Sequence, residues 1–311
     1  MKNVGILVVI LLVLGGIAYF VVNSSDSTVD SDLTKDFFAV DSASITKIEM
    51  NSVANGDVIL SKESGTWMLT KPVNYKADTS RVYSLLKEAK SIKVINPEVS
   101  SNPTKHAKFN VDDSLGTSVK LYSANGLAAE YVIGKRTNGG IFIRQPNSDV
   151  TILTSTFNSF AFAQKAEQFR DKVICKLESE SITGYEVTSP IGKITVEKAD
   201  SLWFVSGERK KEKRTEANGN FINTWNTRFG NFYTSKFKDE TSGADFSKPE
   251  ILIKVTTTSG EKSVAAVLDL EDKNFFQVKY SDSEQIFLVS KGVIDSFAKP
   301  YEDLKKIEEK K

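Results

Sequence analysis

Side chains with catalytic potential are few in this sequence and lie far apart. The single histidine, His106, ends the polar, proline-containing stretch Asn102–His106, where an imidazole is more often a solvated loop residue than a general base. Two adjacent carboxylate pairs, Asp112-Asp113 and Glu271-Asp272, have the residue types that glycosidases use. Because neighbouring strand residues point to opposite faces and turn residues are usually solvated, we interpret neither pair as catalytic.

The motifs that mark common enzyme classes are absent. The sequence contains no glycine-rich phosphate loop, no Gly-x-Ser-x-Gly elbow and no His-Glu-x-x-His pair. Asp26, Asp30 and Asp32 lack the glycine and the terminal glutamate of a calcium loop. One cysteine and one histidine exclude a disulfide framework and a Cys/His zinc site, and Cys175 is predicted to be a small buried hydrophobic residue. The sequence therefore predicts a protein that is not an enzyme, without catalytic residues, cofactor or metal.

One charged segment, positions 209–214, has the composition of a binding site. Five of its six residues are basic: Arg209, Lys210, Lys211, Lys213 and Arg214. Such a segment could contact anionic lipid headgroups, an anionic envelope polymer or an acidic partner protein. The alternative is a solvated loop without a partner, which is the commoner role of a charge run.

Length and composition place these residues in a folded protein. The 311 residues leave room for one large or two ordinary domains, and 40% hydrophobic with 26% charged residues excludes intrinsic disorder and collagen. The 41 basic and 40 acidic residues give a net charge of +1, which argues against a nucleic-acid partner.

An apolar segment near the N-terminus predicts a membrane anchor. Residues 4–22 carry no charge, and a helix of this length spans about 28 Å, close to the hydrocarbon core of a bilayer. Lys2 precedes the segment and three aspartates follow it, so the positive-inside rule predicts a cytoplasmic N-terminus. The bulk of the chain would then lie outside an inner or cytoplasmic membrane. A cleaved signal peptide is the alternative, because Gly16-Ile17-Ala18 offers small residues to a signal peptidase.

The rest of the chain has the texture of an α+β protein. Short runs in which every second residue is apolar predict half-buried strands, as in Ile48/Met50 and Val58/Leu60. Asn55-Gly56, Gly65 and Asn125-Gly126 predict turns. Asp78 is a predicted helix N-cap, with Val82, Leu85, Leu86 and Ala89 following at helical spacing. A further segment from Ser155 is predicted to place Phe157, Phe160 and Ala161 on one face.

The same order of landmarks recurs in the second half, which predicts an internal duplication. Residues 44–49 (SITKIE) resemble residues 181–186 (SITGYE), and Trp67 corresponds to Trp203. We expect both tryptophans to pack beneath a helix, the second of which follows Asn218. Phe160 is matched to Phe297.

The predicted architecture is two duplicated units of mostly antiparallel sheet with a covering helix, preceded by one transmembrane helix. The predicted segments are an anchor at 1–22, a flexible Ser/Asp-rich linker at 23–35, the first unit at 36–165, the second unit at 166–300 and a charged tail at 301–311. We expect the tail to be a short exposed helix or to fray.

The first unit resembles the bacterial family that carries domain of unknown function 4340. The resemblance is carried by residues 44–48, by Gly65–Pro72, by Ala77-Asp78 and by two later motifs, Ile133-Gly134-Lys135 and Phe142-Ile143-Arg144. The second unit departs from it, because Ser206-Gly207 replaces Lys71-Pro72. The resemblance implies an extracytoplasmic domain on one anchor, with genes often found beside an ABC transporter of the gliding-motility type.

These observations lead to three functional hypotheses. The first is a non-catalytic, single-pass envelope protein that serves as an accessory or scaffold subunit of an ABC-type transport complex, with the bilayer contacted through residues 4–22. The second is a module that binds an envelope polymer or a small ligand, held between the two units. The third, less favoured, is an envelope hydrolase that uses carboxylates.

Overall fold

The computed structural model describes residues 41–238 and 243–306. It divides after Arg170 into two compact units, each with its own hydrophobic core. The predicted anchor, residues 4–22, and the predicted linker, residues 23–35, lie outside the described residues. Of the helices that are described, none is long and apolar enough to cross a membrane.

The first unit is built on one large antiparallel sheet. Its strands are β1 (Ile45–Ser52), β2 (Gly56–Glu63), β3 (Thr66–Lys71), β4 (Tyr75–Lys76), β5 (Val94–Ser100), β6 (Thr117–Ser123), β7 (Gly126–Thr137), β8 (Gly140–Arg144) and β9 (Thr151–Thr154). They are ordered β4-β3-β2-β1-β6-β7-β8-β9-β5 across the sheet. The predicted turns are confirmed: Gly56, Gly65 and Gly126 have φ angles of 67°, 87° and 110°, which glycine adopts without a steric cost.

Helix α1 (Thr79–Ser91) supplies the second layer of this unit, and a single helical turn, α2 (His106–Phe109), follows β5. The predicted cap is confirmed, because the Asp78 carboxylate accepts hydrogen bonds from the backbone N–H groups of Ser80 and Arg81. The predicted apolar face of α1 packs against the inward-facing residues of the strands. Its buried helix residues are Val82, Leu85, Leu86 and Ala89.

The second unit repeats this arrangement. Its strands are β10 (Val173–Cys175), β11 (Ile182–Ser189), β12 (Gly192–Ala199), β13 (Leu202–Gly207), β14 (Thr215–Glu216), β15 (Phe232–Tyr233), β16 (Lys236–Lys238), β17 (Ile251–Thr257), β18 (Gly260–Leu268), β19 (Phe275–Tyr280) and β20 (Ile286–Ser290). Its helices are α3 (Gly219–Gly230), α4 (Lys291–Asp295) and α5 (Tyr301–Leu304). The Asn218 side chain caps α3 by accepting the N–H of Asn220. The buried face of α3 consists of Ile222, Trp225 and Phe229.

The large sheet of the second unit has the order β14-β13-β12-β11-β17-β18-β19-β20-β16, while β10 and β15 form a separate pair. When the nine strands of each large sheet are numbered in chain order, strands with the same number have the same neighbours in both sheets. Every pairing between the described strands is antiparallel. The predicted α+β class, with two mostly antiparallel sheets and a few helices, is confirmed.

The last described helical turn of each unit packs back onto the core of that unit. In the first unit this turn is Ala166–Phe169, and in the second it is α5. Phe169 is 3% exposed and Leu304 is fully buried. The carbonyl of Phe169 accepts the N–H of Asp78 at 2.7 Å, and the carbonyl of Leu304 accepts the N–H of Asn218 at the same distance. We call these segments the closing turns.

The closing turns change the expected segment limits. The first unit runs to Arg170 rather than to 165, because Phe169 belongs to its core. The predicted short helix of the tail is present at Tyr301–Leu304, but its expected exposure is wrong for Tyr301 and Leu304, which pack into the second core. The acidic Glu302 and Asp303 between them give this turn the composition of a surface segment.

Two predicted aromatic positions are also corrected. Phe160 is 67% exposed, and Phe162 is buried instead, because Ser159–Ala163 forms a 3₁₀ helix with three residues per turn. Phe297, to which Phe160 was matched, is buried. Trp67 is 1% exposed as expected, but Trp203 is only partly buried, and the indole that packs beneath α3 is Trp225 of that helix itself.

Candidate functional site

His106 makes a structural contact. Its Nε2 lies 2.9 Å from the backbone carbonyl oxygen of Asp149, and because a carbonyl can only accept, this nitrogen carries the proton. The contact joins α2 to the loop between β8 and β9.

The two carboxylate pairs are engaged in turns. Asp112 accepts hydrogen bonds from the N–H groups of Ser114 and Leu115, and the Ser114 hydroxyl, which also donates to it, lowers the pKa of Asp112. Asp272 accepts from the N–H of Asn274 at 3.1 Å. Glu271 forms an ion pair of 2.6 Å with Lys238.

The later family motifs hold loops together. Arg144 is 8% exposed, and its Nε donates to the Val111 carbonyl at 2.9 Å. Its Nη1 donates to the carbonyls of Pro146 at 2.8 Å and Gln145 at 3.2 Å. A Cβ atom at Gly134 would lie 2.4 Å from the Phe109 carbonyl oxygen, so this position requires glycine for close packing.

A buried polar group that sequence patterns do not indicate lies just after β18. Asp269 is 2% exposed, accepts a hydrogen bond from the Gln277 amide at 2.9 Å and lies 3.8 Å from the Lys238 ammonium. No group of three or more His, Cys, Asp or Glu side chains that could hold a metal occurs within the described ranges. Asp269 and Lys238 thus form an internal ion pair.

The predicted basic segment is the loop between β13 and β14, which we call the basic loop (residues 208–214). The loop is compact, because the Gly207 N–H donates to the Glu212 carbonyl at 3.0 Å and the Glu212 N–H donates to the Arg209 carbonyl at 2.8 Å. The Glu212 carboxylate turns back over the loop, where it accepts the Arg209 N–H at 3.2 Å. A Cβ atom at Gly207 would lie 2.7 Å from the Glu212 Cβ, so glycine makes room for this fold.

All five basic side chains of the loop are exposed. The Arg209 guanidinium is 74% exposed and lies 3.8 Å from the Glu212 carboxylate. The ammonium groups of Lys210, Lys211 and Lys213 have no ion pair or hydrogen bond with any other described residue. The structure thus brings the predicted residues together on one surface and leaves three of their charges uncompensated.

Contacts with two aromatic residues, Phe204 and Tyr301, fix the end of the loop. The Arg214 guanidinium lies over the Phe204 ring, 3.6 Å from its centroid. The Tyr301 hydroxyl, in the closing turn, donates to the Lys213 carbonyl at 2.7 Å. Composition alone indicates neither contact, because each depends on how β13 and α5 pack.

A cavity of about 390 Å³ opens beside Trp203 in the same unit. Its lining includes Lys306, Glu216 and the first residues of α3. Lys306 and Glu216 form an ion pair of 2.7 Å, so these two charges of the lining compensate each other.

Cys175 is buried in the second core, as predicted, and burial raises the pKa of its thiol to about 12. At pH 8 we expect the native thiol to react with a thiol reagent roughly a thousandfold more slowly than the unfolded chain, because only the thiolate is nucleophilic. Labelling with and without denaturant, followed by mass spectrometry, measures the ratio. Equal rates in the two states would contradict the buried position.

A family model described as Domain of unknown function (DUF4340) matches residues 67–252, which is more than half of the chain. The match begins at Trp67 in β3 and ends in β17, so it covers parts of both units and the whole basic loop. No curated protein and no solved structure was found to match the chain.

Proposed function

The chain belongs to the DUF4340 family, and from this premise we propose that it is a non-catalytic accessory or scaffold subunit of an ABC-type transport complex in the cell envelope. In this proposal residues 4–22 span the inner or cytoplasmic membrane once, the N-terminus is cytoplasmic, and both units are extracytoplasmic. The apolar composition of residues 4–22 and the aspartates that follow support the topology. The likeness of the two sheets supports an origin by internal duplication.

The observation that carries the proposal is the use of polar side chains in the two units. His106, Asp112 and Arg144 bind backbone groups of their own unit, whereas the uncompensated cations of Lys210, Lys211 and Lys213 face solvent. A surface of this kind favours contact with a charged partner over the positioning of a reacting group. Independently of this surface, the gene neighbourhood implied by the family resemblance supports a transporter as the protein complex that the chain serves.

Co-purification tests this proposal. The full-length chain, extracted in mild detergent, is expected to bring down an ABC permease and its ATPase. A variant that lacks residues 1–35 is expected to lose them, because the anchor keeps the units next to the membrane complex. Quantitative mass spectrometry of both preparations gives the result.

Recovery of no transporter component with the full-length chain would contradict the accessory role. The second candidate, a module that binds an envelope polymer or a small ligand, would then be tested at the cavity beside Trp203. Its half-buried indole and its volume of about 390 Å³ favour this cavity over the other surfaces of the second unit.

A further inference from the structure

The basic loop differs from the rest of the surface of its unit in how its charges are compensated. Elsewhere in the second unit, four lysines of the sheet lie beside carboxylates, in the pairs Lys193–Glu186, Lys254–Glu261, Lys262–Asp282 and Lys279–Glu284. Two further exposed lysines, Lys198 and Lys236, lie over aromatic rings. In the loop, five cations stand against two carboxylates, Glu208 and Glu212. Glu212 is turned inward and only 18% exposed, so the outer surface of the loop is strongly positive.

The fold does not require this charge. The corresponding connection in the first unit, between β3 and β4, is Pro72-Val73-Asn74 and contains no cation. Val73 packs against the first core, whereas the basic loop contributes no residue to the second core. Both connections join equivalent strands, so the unpaired charges of Lys210, Lys211 and Lys213 are an addition to the second unit that its architecture does not need.

We propose that the basic loop binds the phosphate groups of anionic lipid headgroups at the membrane surface. A protein partner is less well suited, because protein interfaces centre on apolar and aromatic residues, and every residue from 208 to 214 is charged. Fluid headgroups can arrange themselves around unpaired ammonium groups without a complementary shape, and each basic residue near an anionic membrane adds to the attraction. The inference rests on the proposed function in one respect, since the anchor at residues 4–22 would hold the loop near that surface.

The architecture of the loop suits this role. Stacking of the Arg214 guanidinium on Phe204, 3.6 Å from the ring centroid, and the Tyr301 bond to the Lys213 carbonyl fix the loop at its end. The Glu212 bonds fix its middle. Five cations are therefore presented by an ordered backbone, which lowers the entropy lost when they bind.

Lysine footprinting of the full-length chain tests the proposal. The protein is mixed with vesicles of phosphatidylcholine alone or with added phosphatidylglycerol, acetylated briefly and analysed by mass spectrometry. We expect acetylation of Lys210, Lys211 and Lys213 to slow by about threefold or more only with phosphatidylglycerol, and the effect to disappear in high salt. The exposed Lys87 and Lys90 of the first unit serve as internal controls and should not change.

Matched variants check that charge at this position is the cause. One variant replaces Lys210, Lys211 and Lys213 with glutamine and keeps Arg214, which fixes the loop. The control replaces three exposed lysines of the first unit, Lys87, Lys90 and Lys93, and so makes the same change in net charge. Hydrogen exchange of residues 208–216 should slow with phosphatidylglycerol in the control variant and in the natural chain, but not in the loop variant.

The outcomes separate this inference from the proposed function. Flotation of the full-length chain with neutral vesicles reports on the anchor alone. Equal acetylation of the loop in both kinds of vesicle would overturn the lipid contact and leave the accessory role standing. Protection that appears only when a co-purified acidic protein is present would assign the loop to that protein and would also overturn the lipid contact.

Discussion

Replacing Arg144 with methionine is expected to destabilise the first unit by roughly 3–5 kcal/mol. The guanidinium is 8% exposed and donates to the carbonyls of Val111 and Pro146 at 2.9 and 2.8 Å. Methionine fills similar space but donates no hydrogen bond, so these acceptors would lose their charged partner inside the protein. Urea unfolding read by pulsed hydrogen exchange measures the loss, because peptides report on each unit separately.

A matched control is available on the neighbouring strand. Arg136 lies in β7 and is exposed, so its replacement with methionine should change the free energy of unfolding by less than about 0.5 kcal/mol. Arg144→Lys should fall between the two, since one ammonium group cannot reach both loops as the planar guanidinium does. If Arg144→Met cost no more than Arg136→Met, the interpretation of this family motif as a structural clamp would be wrong.

Elements whose sequence pattern is local could be predicted from the chain. The strand around Ile48 and Met50 alternates because one face of the sheet is buried, and both residues lie in the first core. Asp78 was predicted as a cap because its carboxylate satisfies N–H groups two and three residues later. Such features depend on residues that are close in sequence, so the same pattern predicts the same local structure in any fold.

Elements that depend on distant partners could not be predicted. Strand β5 contains Pro97 and lacks alternation, since it lies at the sheet edge and pairs with β9 through two register shifts. In the basic loop, composition predicted the exposed charge at Lys210 and Lys211. The inward turn of Glu212 and the stacking of Arg214 on Phe204 were not predicted, because they follow from the packing of β13.

Replacing Leu304 with alanine is expected to destabilise the second unit by about 2–5 kcal/mol. Leu304 is fully buried although it follows two acidic residues near the end of the chain. The substitution removes apolar contacts from the second core and weakens the closing turn whose carbonyl accepts the Asn218 N–H. Pulsed hydrogen exchange in urea again gives the change for each unit.

Leu270→Ala is the control for this substitution, because Leu270 is 84% exposed and its truncation should cost less than about 0.5 kcal/mol. Phe169 takes the place of Leu304 in the closing turn of the first unit, so Phe169→Ala should destabilise that unit and leave the second unchanged. A loss confined to the unit that carries each substitution would establish that residues 166–170 and 301–305 are the final elements of two equivalent units. Equal effects of Leu304→Ala and Leu270→Ala would instead make residues 301–305 a surface tail, and the Tyr301 bond to the Lys213 carbonyl would then no longer fix the basic loop.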